Sequence, residues 1–348
     1  MKSAAILVCL VVSGCGAGPS AETDDDADDV VPPDSPPPSY IHDPGLEGPA
    51  FALTDPACTE AADQISCSAV IYSEVNGVQL HLDIHAPLEA KSARVPTIMY
   101  LHPGGWSVGS YHQIGQLRLA DSLARGYAVV SVEYRLTLNE DRSPSGVTFP
   151  ENLIDAKTAV RWLRLKGSAF VDPDRIVAYG TSSGAHLAAL VAVTPDVAAF
   201  AGRGDPSVAT TVKAAVAISA PIDFHLFVPT NPPLADTCPS QPAGQDPQAA
   251  VSLLAGVAAI TDVTEAQLAS LSPVTYFDAT TPPIQFFAGT CDQTVPYTGA
   301  DVTARQRAAE LELSQIQIFV APDAFHGTTL DTPQAQATLA TFLTGQLD

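Results

Sequence analysis

The sequence predicts an α/β fold with a mostly parallel central sheet, an antiparallel N-terminal edge and helices on both faces. Short apolar runs alternate with segments of helical periodicity from about Ala69 to the C-terminus, which is the pattern that βα repeats produce. An early pair of alternating strands departs from this pattern and predicts the antiparallel edge. The 348 residues, 46% of them hydrophobic, are enough to bury one large core.

The predicted edge is a hairpin over residues 69–87, because Asn76-Gly77 is a favoured two-residue turn between alternating strands. The predicted strands that follow are 95–103, 127–135, 175–180, 212–219, 283–289 and 316–322, and the predicted helices are 113–125, 151–166, 183–193, 301–313 and 332–347. Residues 221–283 contain proline-rich loops and weak helical patterns. We predict that they form a small partial cap over the strand ends.

The N-terminus has the features of an export signal. Lys2 is followed by an apolar run over 4–12 and by small residues before Cys15, so residues 1–14 are predicted as a signal peptide that is too short to span a bilayer. The residues before Cys15 resemble the lipobox of bacterial lipoproteins, which implies acylation of Cys15. We expect an exported protein that contacts a bacterial membrane, periplasmic or at the cell surface, only through this lipid. An ordinary secretory signal is the alternative.

Residues 15–50 are acidic and rich in proline, as in "DDDADDVVPPDSPPPSY", and are predicted as a lipid anchor followed by a disordered tether. The α/β domain is predicted over 51–348. The net charge is −22, from 38 acidic against 16 basic residues. Such a charge repels phosphate backbones, so nucleic acid is excluded as a partner.

Four cysteines follow the tether, and an even number in an exported protein predicts two disulfides. Of the three possible connectivities we prefer the pairs Cys58 with Cys67 and Cys238 with Cys291. Free buried thiols are the alternative.

A glycine-flanked hydroxyl cluster lies where a predicted strand turns into a predicted helix. Residues 180–184, Gly-Thr-Ser-Ser-Gly, fit the G-x-S-x-G pattern of a nucleophile elbow. In such an elbow, Ser182 occupies a strained turn that lifts its hydroxyl above the sheet, while Gly180 and Gly184 avoid side-chain collisions. A plain glycine-serine turn is the alternative reading.

A serine hydroxyl needs a base and an orienting carboxylate, which follow an elbow in the order acid, then histidine. Asp292 comes just after one predicted strand and His326 just after the last. Because the carboxyl ends of parallel strands share one edge of the sheet, these side chains are expected to converge on Ser182. His326 would take the serine proton and Asp292 would orient its ring.

Other polar residues compete for these positions. His186 lies four residues after Ser182 on the same predicted helix, and we expect it to pack in the core. Asp323 is the fallback for the acid, although it precedes the histidine on the same loop. Three polar residues alternate along one strand face and suggest either a metal site or, as we prefer, a solvated outer face: His81, Asp83 and His85.

The segment His102-Pro103-Gly104-Gly105 follows a predicted strand, where an oxyanion hole requires backbone donors. It resembles the HGGG oxyanion motif with proline, which has no N–H, in place of the first glycine. The expected donors are therefore the backbone N–H groups of Gly104, Gly105 and Ser183. Trp106 is predicted to wall the substrate pocket. A structural Gly-Gly turn is the alternative.

These motifs give the chain a resemblance to α/β-hydrolase esterases, in the hormone-sensitive-lipase-like, acetyl-esterase and feruloyl-esterase-like (BD-FAE type) branches. The resemblance covers about residues 69–348. It rests on HPGGW, VEYRL, FPENLIDAKTAVRWLR, GTSSGAHLA, SPVTYF, GTCDQTVP and FHG, in the order that the family shows.

The resemblance implies a carboxylic ester hydrolase that acts through an acyl-Ser182 intermediate without metal or organic cofactor. It implies short acyl groups or polysaccharide-linked esters as substrates and leaves the oligomeric state open. A serine peptidase of the prolyl-oligopeptidase type is one alternative, although the chain lacks the large extra domain of that group. A catalytically silent surface binding protein is another, and the intact serine, acid and histidine set argues against it.

Overall fold

The computed structural model of the protein describes residues 41–115, 117–228, 238 and 246–348. The predicted signal peptide, Cys15 and the tether up to residue 40 lie outside these residues. Among the described residues, no helix combines the length and hydropathy that crossing a bilayer requires.

The described residues form a mixed nine-stranded sheet. Its strands are β1 (Cys58–Glu60), β2 (Gln64–Val75), β3 (Val78–Pro87), β4 (Val95–Leu101), β5 (Ala128–Val132), β6 (Val171–Thr181), β7 (Ala214–Ile218), β8 (Ile284–Gly289) and β9 (Ile316–Ala321). The spatial order is β1-β2-β3-β5-β4-β6-β7-β8-β9. Pairings from β1 to β5 through β3 are antiparallel, and those among β4 to β9 are parallel. The predicted fold class is confirmed.

Helices cover both faces of this sheet. In the described part of the chain they are α1 (Leu119–Ala124), α2 (Glu151–Leu165), α3 (Ser183–Val193), α4 (Pro247–Ala255), α5 (Glu265–Leu271), α6 (Arg305–Glu310) and α7 (Pro333–Leu347). Every residue of β4 is buried, as expected for a central parallel strand. Its alternate side chains enter two separate cores, Met99 in the core under α2 and α3 and Tyr100 in the core under α7.

Two helices are shorter than the sequence predicts. The predicted helix over 113–125 begins only at Leu119, because the Gly115 N–H donates to the Tyr100 hydroxyl at 3.0 Å rather than to a helical carbonyl. The predicted helix over 301–313 starts as a π-helical turn, Gly299–Ala304, and its α-helical part ends at Glu310. Glu312 ends this segment with φ of +55°, which no helix continues.

The antiparallel edge contains the predicted hairpin and one strand that the sequence did not predict. Asn76 and Gly77 both have positive φ, as the two-residue turn between β2 and β3 requires. The additional strand β1 places Cys58 directly opposite Cys67 on β2, and the two form a disulfide. The second disulfide joins Cys238 to Cys291. Both preferred pairings are therefore the ones that the structure contains.

Residues 41–50 pack on the domain, although the sequence assigns them to the tether. Ile41 bridges to Gly204, and the fully buried Asp43 carboxylate accepts from Arg203 Nε at 3.2 Å. Arg203 in turn reaches the buried Asp155 of α2, with 2.6 Å between Arg203 Nη2 and Asp155 Oδ1. The acidic composition of residues 15–50 gave no sign that Asp43 has a buried partner.

In its described part, the region predicted as a partial cap contains α4, α5 and the three short 3₁₀ segments Phe224–Phe227, Ile260–Asp262 and Pro273–Tyr276. Thr264 and Gln267 form a capping box at the start of α5. The His225 ring lies between Asp223 and Glu265, with 2.7 Å from each ring nitrogen to a carboxylate oxygen. This contact joins the first 3₁₀ segment to α5.

Candidate active site

Ser182 occupies a strained backbone position between β6 and α3. Its φ of 54° and ψ of −122° are rare for a residue with a side chain. The turn is tight on both sides. A Cβ atom on Gly180 would lie 2.2 Å from the carbonyl carbon of Gly184, and one on Gly184 would lie 2.1 Å from the Leu101 carbonyl oxygen. Only glycine fits at these two positions, which explains the spacing seen in the sequence.

The structure brings Ser182, His326 and Asp292 into one chain of hydrogen bonds. The Ser182 hydroxyl lies 2.9 Å from His326 Nε2, and His326 Nδ1 lies 2.7 Å from Asp292 Oδ2. These side chains come from the loops after β6, β9 and β8, the three predicted strand ends. Because a carboxylate only accepts, Nδ1 carries the ring proton and Nε2 presents a lone pair to the hydroxyl.

The Asp292 carboxylate is fixed on its other side by the backbone. Its Oδ1 accepts from the N–H groups of Thr294 at 2.9 Å and Val295 at 2.8 Å, and the residue is 1% exposed. These contacts were not predicted from the sequence. The order Asp-Gln-Thr is nevertheless typical of an Asx turn, in which an aspartate accepts from the N–H two residues later.

Asp323 and His186, the two competing residues, lie outside this chain of hydrogen bonds. Asp323 is exposed, and its backbone N–H donates to the Thr290 hydroxyl, while Asp292 makes the contact to His326. His186 is fully buried, as predicted, and burial lowers its pKa to about 3, against a smaller opposing effect of its hydrogen bond to the Leu271 carbonyl. A neutral ring at this position makes specific hydrogen bonds that the sequence did not indicate.

The glycine loop after β4 adopts a conformation that requires its glycines. Gly104 and Gly105 have φ of 137° and 60°, and a Cβ on Gly104 would lie 1.9 Å from the Val108 carbonyl oxygen. The preceding His102 is buried, and its ring stacks on Tyr134 with centroids 4.3 Å apart. The Tyr134 hydroxyl donates to the His102 carbonyl oxygen at 2.8 Å, which holds the start of the loop.

This loop lines one cavity of about 560 Å³ together with Ser182 and His326. Gly104, Gly105 and Trp106 are among its lining residues. Its other described lining residues are uncharged: Pro103, Val108, Gly109, Gln113, Pro221, Phe227, Pro247, Ala250, Thr294 and Val295. The region predicted as a cap thus supplies part of the wall.

The polar face of β3 differs from the expected solvated surface. Asp83 is buried, because the loop after β4 places His112 over it, with 2.6 Å between His112 Nδ1 and Asp83 Oδ2. His81 pairs instead with Glu133, and His85 contacts the Ser66 hydroxyl. Among the described residues, no group of three or more His, Cys, Asp or Glu side chains is arranged to hold a metal ion.

The fold and this site together define a serine esterase of the α/β-hydrolase fold. The chain belongs to the BD-FAE family, whose sequence profile matches residues 82–306.

Two curated esterases are similar in sequence to part of this chain. The chain is 28% identical over 218 residues to the probable carboxylic ester hydrolase LipM of Mycobacterium tuberculosis, an alignment that covers 62% of this chain and 46% of LipM. It is 26% identical over 183 residues to the esterase LipC of the same organism, covering 52% and 43% of the two chains. The chain therefore spans less than half the length of these curated relatives.

Two solved structures share most of the architecture. A truncated carbohydrate esterase from gut microbiota superposes with a TM-score of 0.65 at 21% identity, covering 86% of this chain and 99% of that one, a likeness of fold. A thermophilic esterase from Thermogutta terrifontis, solved with butyrate bound, superposes with a TM-score of 0.60 at 26% identity. That alignment covers 83% of this chain and 94% of the esterase.

Proposed function

We propose that the protein hydrolyses short-chain carboxylic esters, including acyl esters of carbohydrates, through an acyl-Ser182 intermediate. The observation that carries the proposal is the 2.9 Å contact between the Ser182 hydroxyl and His326 Nε2, in a cavity that the glycine loop also lines. A serine hydroxyl is a weak nucleophile, and an imidazole nitrogen within hydrogen-bond distance activates it by accepting its proton during the attack.

The geometry supports a two-step reaction. In the first step Ser182 Oγ attacks the ester carbonyl carbon while His326 Nε2 takes its proton, and the imidazolium then protonates the departing alcohol. In the second step His326 removes a proton from water, whose oxygen attacks the acyl carbon. The bond from this carbon to Ser182 Oγ then breaks, and the imidazolium returns the proton to Oγ, which releases the acid and restores the serine hydroxyl. Asp292 stabilises the imidazolium that forms in both steps.

The oxyanion donors that we assign are the backbone N–H groups of Gly104, Gly105 and Ser183. Ser183 is the first residue of α3, and the N–H groups of a first helical turn have no acceptor within the helix. The two glycines border the same cavity as Ser182. Donors fixed in this way stabilise the negative charge of the tetrahedral intermediate without reorganisation.

The cavity favours neutral substrates. Apart from His326, no titratable side chain is among its described lining residues, and Trp106, Phe227 and Val295 make its wall largely apolar. An apolar wall of this kind suits a short acyl group. The butyrate in the Thermogutta terrifontis esterase and the carbohydrate esterase among the similar folds support this substrate class.

We also propose that the protein is exported and anchored through an acylated Cys15. The proposal rests on the apolar run and the small residues before this cysteine. Growth with a radioactive fatty acid tests it, because label should enter the wild-type protein and be absent from Cys15→Ser. Label of equal intensity in both proteins would contradict the anchor.

The proposed activity is tested with p-nitrophenyl esters of increasing acyl length and with a proline-containing peptide substrate. We expect acetate and butyrate esters to be hydrolysed, and Ser182→Ala to reduce kcat by about 10⁴-fold or more. Ser314→Ala, at an exposed serine, is the matched control and should retain full activity. Ester turnover that survives Ser182→Ala would reject the mechanism. Cleavage of the peptide alone would favour a serine peptidase. No turnover of either substrate would favour a catalytically silent binding protein.

A further inference from the structure

We propose that His186 is a positioning residue for this reaction. It holds the Trp106 indole, and through it the Gly104-Gly105 loop, against α3, the helix that follows Ser182. It also connects both to Leu271 of the region predicted as a cap. The inference rests on the proposed function, since it concerns the donors of the proposed oxyanion hole.

His186 is placed one helical turn beyond the nucleophile. Its backbone N–H donates to the Ser182 carbonyl oxygen at 3.0 Å, and its side chain is fully buried. The ring makes two hydrogen bonds in different directions. Nδ1 lies 3.1 Å from Trp106 Nε1, and Nε2 lies 2.8 Å from the Leu271 carbonyl oxygen.

The partners allow one protonation state of the ring. An indole N–H only donates, so Nδ1 of His186 must accept. A carbonyl oxygen only accepts, so Nε2 must carry the proton. Both ring nitrogens and both partners are then satisfied by the neutral ring. A leucine or phenylalanine at this position would fill the same space but leave a buried indole N–H and a buried carbonyl without these partners, which costs free energy.

The contact to Trp106 reaches the proposed oxyanion donors through one peptide bond. Trp106 directly follows Gly105 and itself has a φ of 57°, a conformation that is unfavourable for a residue with a side chain. Two contacts oppose that strain. The Trp106 carbonyl oxygen accepts from Thr137 N–H at 2.8 Å, and the indole N–H donates to His186.

His186 also joins the glycine loop to the cavity wall. Leu271 is the last residue of α5. Phe224, in the 3₁₀ segment Phe224–Phe227, packs on the rings of His186 and Trp106, with ring centroids 4.9 Å and 5.9 Å away. The His186 imidazole therefore connects three elements: α3, the glycine loop and the region predicted as a cap. A displaced loop would weaken the oxyanion contacts made in the transition state more than substrate binding, so kcat should fall while KM changes little.

Two amide variants separate the two hydrogen bonds. The Asn oxygen reproduces the acceptor position of Nδ1, and the Gln nitrogen reproduces the donor position of Nε2. His186→Asn therefore keeps the bond to Trp106 and loses that to Leu271, whereas His186→Gln does the reverse. We expect His186→Gln and His186→Leu to lower kcat by about 10- to 100-fold, and His186→Asn to restore most of it.

A second measurement follows the Trp106 indole independently of activity. The chain has two tryptophans, so a ¹⁵N spectrum has two indole N–H signals, and Trp106→Phe identifies the relevant one. Its hydrogen exchange should be slow in wild type and in His186→Asn, and faster in His186→Gln and His186→Leu.

Equal kcat in His186→Asn and His186→Gln, or equal exchange of the Trp106 signal in both, would overturn the inference. This comparison remains decisive if His186→Leu does not fold. The outcome is distinguishable from a failure of the proposed function: if Ser182→Ala still hydrolyses esters, the nucleophile assignment fails, whereas the indole exchange still reports the contact between His186 and Trp106.

Discussion

His326 Nδ1 lies 2.7 Å from Asp292 Oδ2, although the two residues are 34 positions apart and on different loops. The carboxylate cannot turn away from this contact, because Thr294 and Val295 hold its second oxygen. A fixed carboxylate keeps the proton on Nδ1 and so leaves Nε2 free to accept from Ser182.

Asp292→Asn should therefore abolish most of the activity without unfolding the protein. The Asn amide nitrogen would face Nδ1 and favour the ring with its proton on Nε2, which cannot accept from Ser182. We expect kcat for p-nitrophenyl acetate to fall by about 10⁴-fold. Asp323→Asn, on the same loop as His326 but exposed, is the control and should retain wild-type kcat. The reverse result would make Asp323 the orienting acid.

Gly184→Ala should disrupt the turn at Ser182. The added methyl group would lie 2.1 Å from the Leu101 carbonyl oxygen and 2.6 Å from that of His102, so either α3 or the end of β4 must move. We expect a loss of about 1–3 kcal/mol in the free energy of unfolding, measured with denaturant, and a lower kcat. Gly345→Ala makes the same change on α7, where nothing lies within 4 Å of the new atom. That control should be neutral or slightly stabilising, and equal losses in both variants would refute the steric explanation.

Asp43→Ala should destabilise the domain, because it leaves Arg203 buried with one of its carboxylates removed. Breaking a buried ion pair costs about 3 kcal/mol or more in the free energy of unfolding. Glu60→Gln removes a partner from the exposed pair with Lys91 and should cost less than about 1 kcal/mol. A denaturation midpoint that does not change in Asp43→Ala would show that the ion pair of Asp43 with Arg203 does not stabilise the fold.

The contact of His225 with Asp223 and Glu265 should make stability depend on pH. Partial burial lowers the pKa of His225, but the hydrogen bonds and charges of the two carboxylates outweigh it and raise the pKa above 6.5. The protonated ring therefore stabilises the fold below about pH 6.5, and this contribution is lost as the pH rises through the raised pKa. The difference in Tm between wild type and His225→Gln should shrink from about pH 5 to pH 9. This Tm difference should shrink less with pH when both proteins also carry Glu265→Gln. A Tm difference that does not depend on pH would exclude a stabilising role for the protonated His225 ring.

Much of the fold could be predicted because its signals are local. Alternating apolar patterns identified the strands from β2 onward, and Asn76-Gly77 identified the hairpin turn. The start of α1 was misplaced because a tertiary contact, from Gly115 to the Tyr100 hydroxyl, replaces the helical bonds of the residues before Leu119. The short strand β1 has three residues and pairs at an edge, so its periodicity is too brief to recognise.

Some residues of the candidate site could likewise be predicted from local sequence signals, and others could not. Ser182, Asp292 and His326 could be placed together because each follows a strand of one parallel sheet. The hydrogen bonds of the His186 side chain could not be predicted. A histidine on a helix has the same sequence pattern whether its ring packs against apolar groups or bonds to an indole and a carbonyl. Asp43 is similar, since only the folded domain distinguishes it from the other acidic residues near it.

The disulfide between Cys238 and Cys291 has a practical consequence for producing the protein. Cys291 is the residue before Asp292, so this crosslink attaches Cys238 to the loop that carries the orienting acid. A host cytosol kept reducing by glutathione and thioredoxin would leave both sulfurs as thiols. Recombinant material should therefore be made in an oxidising compartment or refolded with a redox couple, and its free-thiol content measured before any kinetic constant is compared between variants.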